Sequence, residues 1–161
     1  MRIDEPIDPE RDLVLDRDIP VPPALVWQAW TRPEHLREWF TPRPWTVAAC
    51  DVEPWPGGRF HTVMRSPEGQ LVPNTGCFLE VIPDERLVWT SALGPGFRPA
   101  ETVGAFTFTG MILLAPHERG TRYRAIARHG DVETARRHEA IGFHTGWGIA
   151  LDQLVAHMAR R

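Results

Sequence analysis

The stretch from Asp131 to Met158 restricts the fold most, because its apolar residues recur at helical spacing at the end of a chain that otherwise reads as strands. At roughly 100° per residue, Arg136, Ala140, Phe143, Trp147, Leu151, Leu154 and Met158 fall on one face. The spacing predicts a single long C-terminal helix over residues 131–158. Asp131, after Gly130, suits the N-cap. Glu133 suits the positive end of the helix dipole, and Arg160 and Arg161 suit the negative end. The stripe changes character along its length. Leu151, Leu154 and Met158 read as core. Arg136, Ala140 and Phe143, with Gly142 and Gly146 thinning a flank, suit a helix that roofs a cavity at that end.

A lone amphipathic helix has nothing to bury its stripe against, so the upstream chain must supply a surface. Residues 12–19 alternate as a strand does. Pro22 and Pro23 then open a short helix over 24–30, and Pro33 opens a second through residue 40, proline being suited to the first helical turn. Strand-like runs follow at 46–52, 59–65, 76–82, 86–92, 105–114 and 121–129. The turn-forming stretches PWPGG, SPEG, PDE, GPGFRP and PHERG separate them. With the first strand this makes seven strands, antiparallel by their short connections. One face should be in water. Accordingly Tyr123, Ala125, Ala127 and His129 point one way, and Arg122, Arg124 and Arg128 the other. Phe106, Phe108, Ile112 and Leu114 share a face in the same manner, as do Phe60, Thr62 and Met64. The expectation is one α+β domain over residues 12–161, after a flexible lead-in at 1–11.

The totals exclude several classes of function. The 161 residues fit one domain with a real core. A net charge of −3 gives no general attraction to nucleic acid or to an anionic membrane. No run of about 18 apolar residues is present, and the acidic N-terminus is unlike a signal, so a cytoplasmic location is expected. Cys50 and Cys77 make neither a disulfide framework nor a metal site, and the seven histidines lack ligand spacing. Gly57 and Gly58 lead into a strand, not a helix, and so do not cradle a phosphate. Ser66 and Cys77 lack the setting of a nucleophile. No catalytic residue, metal or cofactor is assigned. Seven tryptophans against one tyrosine favour a bulky core or an apolar pocket.

PPALVWQAWTRPEHLREWFTP at 22–42, PGGRFHTVMRSPEG at 56–69, GCFLEVIPDERLVWT at 76–90 and GFHTGWGIALDQLVAHM at 142–158 carry a family likeness. In this order, over about residues 12–158, the chain resembles the activator of heat-shock-protein-90 ATPase homologues, within the START/Bet v 1-like (SRPBCC) group. The resemblance implies a helix-grip fold, in which a seven-stranded curved antiparallel sheet wraps a long C-terminal helix and two short helices follow strand 1. It also implies a deep, largely apolar cavity between sheet and helix. It implies no invariant catalytic set.

The residues expected to line that cavity are Trp39, Trp45, Phe60, Met64, Phe78, Trp89, Phe106, Phe108, Tyr123, His129, Arg136, Phe143 and Trp147. Ligand pockets combine apolar walls with a few placed polar groups. Here Arg136 could clamp a carboxylate or phenolate and His129 could act as a base, with His144, His61 and Glu80 as lesser candidates. The function expected is non-enzymatic binding of a small apolar or aromatic ligand by a monomer or homodimer. The alternatives are a polyketide cyclase/aromatase-like enzyme on the same scaffold and a stress-related or chaperone-accessory protein. The last would bring a chaperone contact.

Overall fold

The computed structural model describes residues 5–100 and 106–159. β1 (Asp12–Ile19) leads into α1 (Pro23–Thr31) and α2 (Pro33–Trp39), followed by β2 (Thr46–Val52), β3 (Arg59–Arg65), β4 (Leu71–Ile82) and β5 (Arg86–Thr90). A small ribbon of β6 (Leu93–Gly94) and β7 (Arg98–Pro99) comes next, then β8 (Thr109–His117), β9 (Gly120–Arg128), α3 (Val132–Ala140) and α4 (Phe143–Met158). The main sheet has seven antiparallel strands in the order β1-β9-β8-β5-β4-β3-β2. Its first and last strands in sequence are therefore neighbours, and α1 and α2 bridge the two edges. This is the helix-grip architecture.

Local chemistry sets the element ends. Arg32 precedes Pro33 and is extended (φ −108°, ψ 121°), so it ends α1 and starts α2 at once. Pro73 interrupts no ladder, because over residues 71–75 β4 is paired with β3 alone. β8 begins at Thr109, not at residue 105 as the alternation suggested; Ala105 itself lies outside the described residues. Phe106 and Phe108 therefore belong to the connection. Ser91 holds Phe108 there: the Phe108 N–H donates to Ser91 Oγ (3.1 Å), and the Ser91 N–H donates to the Phe108 carbonyl (3.1 Å).

The expected single C-terminal helix is two helices. Asp131 caps α3 as anticipated, its carboxylate accepting the Thr134 N–H at 2.8 Å. That bond holds its pKa below the usual carboxylate range. The chain then turns at Gly142, which has φ 104° and ψ 37°. Its N–H donates to the Glu139 carbonyl (3.0 Å) and its carbonyl accepts the Gly146 N–H (2.7 Å). Left-handed backbone just past a helix end is what glycine permits at low cost. The glycine read as thinning a continuous helix is the elbow between two. Arg160 and Arg161, assigned to the far end, lie outside the described residues.

The inner face of the sheet meets α1, α2 and α4 in one core. Leu151, Leu154 and Met158 of α4 are buried against Val26, Trp30, Leu36, Trp39, Phe60, Phe78 and Trp89. Ring contacts fill this end: Trp30 meets Trp39 edge-on at 4.9 Å, and Phe60 stacks on Phe78 at 5.1 Å. The Trp89 indole lies on Gly110, where an added Cβ would come within 2.3 Å of Cζ2. At that position the small residue of β8 is used for close packing.

The outer face is not uniformly wet. It carries the acid–arginine ladder, with Arg124 on Asp16 (2.7 Å), Arg122 on Asp18 (3.3 Å) and Arg128 on Asp12 (3.7 Å). Between these, Val88, Met111, Leu113 and Ile126 form a second buried cluster. Glu5 pairs with Arg86 of β5 (3.2 Å) and approaches Arg128 of β9 (4.0 Å), and Arg128 also donates to the Pro6 carbonyl. The segment after Glu5 thus crosses β8, which lies between those strands.

Candidate ligand-binding recess

The α3–α4 elbow decides which side chains face the sheet at this end. Continuing the α4 phase backwards from Phe143 brings Arg136 inward, but the turn at Gly142 breaks that phase. The buried residues of α3 are Ala135 and His138, and Arg136 is exposed. The clamp assigned to Arg136 is therefore absent from the inner side. The neighbouring Arg137 instead lies 5.5 Å from the Phe106 ring centre, in cation–π contact.

His138 comes down onto His129, the last inward position after β9. His129 Nε2 and His138 Nδ1 are 2.8 Å apart, and His129 Nδ1 is 2.8 Å from the Arg11 carbonyl oxygen. Both imidazoles are 7% exposed. Around them stand Phe108 and Phe106 (ring centres 4.8 and 4.9 Å from His138), Phe143 (5.3 Å) and Trp147 (6.2 Å). Phe143 is buried, while Phe106, Phe108 and Trp147 remain half-buried. Large rings left part-open around two buried imidazoles have the composition of a ligand-pocket wall, mostly apolar with a few polar groups. Gly146 and Gly148 keep the first turns of α4 slim. An added Cβ would meet only Pro42 Cγ at 3.9 Å at Gly146, and nothing within 4 Å at Gly148. Arg17 ties this part of α4 to β1 through the Gly148 carbonyl (3.1 Å) and Asp152 (2.6 Å).

Burial, and secondarily the charge of His129, push the His138 pKa down to about 4. His138 is thus neutral at neutral pH. A carbonyl can only accept, so His129 Nδ1 must carry a proton toward Arg11.

The other expected lining residues divide into groups. Trp39, Phe60, Phe78 and Trp89 belong to the ring-filled core described above, with Trp39 Nε1 donating to the Ala29 carbonyl (3.0 Å). Trp89 still stacks on Trp147 at 6.4 Å, which joins the core to the recess. Tyr123 is buried at the opposite end of β9 and accepts a hydrogen bond from Trp30 Nε1 (3.2 Å). Burial there raises its phenol pKa. Trp45 and Met64 are half-buried near the β2–β3 edge. His61 pairs with Thr75 (2.7 Å) and Glu80 with Arg86 (2.7 Å), away from these rings; exposed His144 lies near Glu139 (3.9 Å) and edge-on to Phe143 (5.0 Å). His138 had no signal of its own in the sequence, because only the elbow turns it inward.

Two further hollows, of about 270 and 240 Å³, lie on the surface among charged residues of β1 and β9 and between α2 and α4. Neither is lined by Phe, Tyr or Trp. Among the described residues no three His, Cys, Asp or Glu side chains are grouped to hold a metal ion, and no helix is long and apolar enough to cross a membrane.

The family model described as "Activator of Hsp90 ATPase homolog 1-like protein" matches residues 20–159. The chain belongs to this family. Its fold is the one shared by the SRPBCC group, whose members commonly bind ligands. Among solved structures, a Nitrosomonas europaea protein is 47% identical, with 96% of this chain and 97% of that one covered and a TM-score of 0.91. The AHSA1 protein of Silicibacter pomeroyi is 26% identical, with 92% of this chain and 97% of that one covered and a TM-score of 0.69. A Rhodobacter sphaeroides protein at 24% identity, covering 94% of each chain with a TM-score of 0.81, shares the fold. No match was found among curated proteins.

Proposed function

We propose that this activator-of-Hsp90-ATPase-like domain binds a small apolar or aromatic ligand, without catalysis, in the recess at the α3–α4 elbow. The supporting observation is the set of half-buried rings Phe106, Phe108 and Trp147 around buried His138, next to a core whose other end is filled. Covering such rings with a ligand contributes roughly 25 cal/mol per Å² of apolar area, less ordering costs.

A cyclase-like reaction would need several polar groups converging on one wall. Arg136 is exposed, and the Tyr123 hydroxyl is held by Trp30 at the far end of β9. Binding is therefore the better-supported reading.

The experiment is a titration with 2-naphthol followed by tryptophan fluorescence and thermal shift, on wild type and Trp147→Ala. Saturable binding that weakens in the variant supports the recess. Binding of equal strength in the variant, or stabilisation of neither protein, would remove it.

A further inference from the structure

The hydrogen bonds around His129 fix more than a side-chain position. With His129 neutral, its single ring proton sits on Nδ1, because the Arg11 carbonyl oxygen at 2.8 Å can only accept. Its Nε2 is then a bare acceptor. His138 Nδ1, 2.8 Å away, must supply the proton of that contact. A neutral imidazole has one N–H, so the same bond strips Nε2 of His138 and leaves it a bare lone pair. Among the described residues none bonds to that nitrogen. The His138 ring itself lies among Phe106, Phe108 and Trp147.

We propose that Nε2 of His138 is a preset hydrogen-bond acceptor in the recess and that it selects aromatic ligands bearing an O–H or N–H donor. This rests on the ligand-binding reading and adds the polar half of the specificity to it. The backbone carbonyl of Arg11, at the start of β1, is the origin of the polarity. It orients His129, which orients His138, so that two rings transmit one direction of donation from main chain to ligand. Preset direction matters because the acceptor need not reorganise when a donor arrives. A ligand without a donor would bury the lone pair with no partner, which carries a penalty.

The test has two arms. The first is the nitrogen chemical shifts of His138 in the free protein at neutral pH, read by long-range proton–nitrogen correlation. The expected pattern is a protonated Nδ1 and a bare Nε2; the opposite tautomer overturns the proposal whatever binds.

The second arm compares 2-naphthol with 2-methylnaphthalene, in which a methyl group replaces the hydroxyl, on wild type and His138→Asn. Asparagine keeps a donor for His129 near the Nδ1 position but offers no acceptor in place of Nε2. The ratio of the two dissociation constants should move toward the methyl compound by about tenfold in the variant, the equivalent of one net hydrogen bond. An unchanged ratio, with both compounds still binding, overturns the donor selection and leaves the recess standing. If neither compound binds wild type, the recess and this proposal fall together. Thermal unfolding of His138→Asn, with the His129 nitrogen shifts, checks that the variant keeps its fold.

Discussion

Lowering the pH should destabilise this fold through His138, by an amount the structure sets. The group titrates at about 4 in the folded protein against an ordinary value of 6.5, because burial and then the charge of His129 oppose its protonation. The unfolded chain therefore takes up a proton that the folded protein refuses. Stability from this source is fully present above about pH 6.5 and is lost as the pH falls toward about 4. Between about pH 7.5 and about pH 5 the loss is about 2 kcal/mol, rising to about 3 kcal/mol once both states are protonated. His138 is 7% exposed, so solvent screening takes little from the effect.

The assay is urea unfolding across that range for wild type and His138→Asn. Subtracting one curve from the other removes the titration of the shared groups that do not contact His138; His129, bonded to it, stays in the difference. The advantage of wild type over the variant should shrink by about 2 kcal/mol on acidification. Parallel stability profiles would refute the buried, proton-poor histidine.

Other outcomes follow from the packing. Gly110→Ala should cost about 1–3 kcal/mol or more in urea unfolding, since its Cβ meets the Trp89 indole at 2.3 Å. Gly142→Ala should cost about 1–2 kcal/mol, because φ 104° strains any residue with a Cβ; a variant as stable as wild type would contradict the elbow. Asp131→Ala should lose about 1 kcal/mol with the Thr134 cap. Arg136→Ala should change stability by less than about 0.5 kcal/mol and leave 2-naphthol binding as it was, since the side chain is exposed.

The fold was legible because its signals are local and repeated. Alternation gave β1, β2, β3 and β9 nearly to the residue, tandem prolines gave α1 and α2, and helical spacing gave the buried stripe of α4. Several features were not, among them the start of β4 at Leu71, five residues before the run read at 76–82. The start of β8 depends on Ser91, a partner 17 residues away in sequence, which bonds Phe108 and keeps it off the ladder. The break at Gly142 is one dihedral angle, and periodicity runs straight through it; extrapolating across that angle put Arg136 where His138 is. The outer cluster was hidden because Ile126 stands among arginines. Of the expected lining residues, Phe106, Phe108, His129, Phe143 and Trp147 come together in space, whereas Trp39, Phe60 and Phe78 pack the interior. Ring-rich sequence does not distinguish a wall from a filling; only the contacts across the sheet do.

The most direct test of the recess as the working site is a proton–carbon NMR titration of the labelled aromatic and histidine rings with 2-naphthol. Saturable shifts should concentrate on Phe106, Phe108, His138, Phe143 and Trp147, while Tyr123 and Trp39 stay in place. Shifts centred on the surface hollow between α2 and α4, or no saturable shifts, would contradict the account.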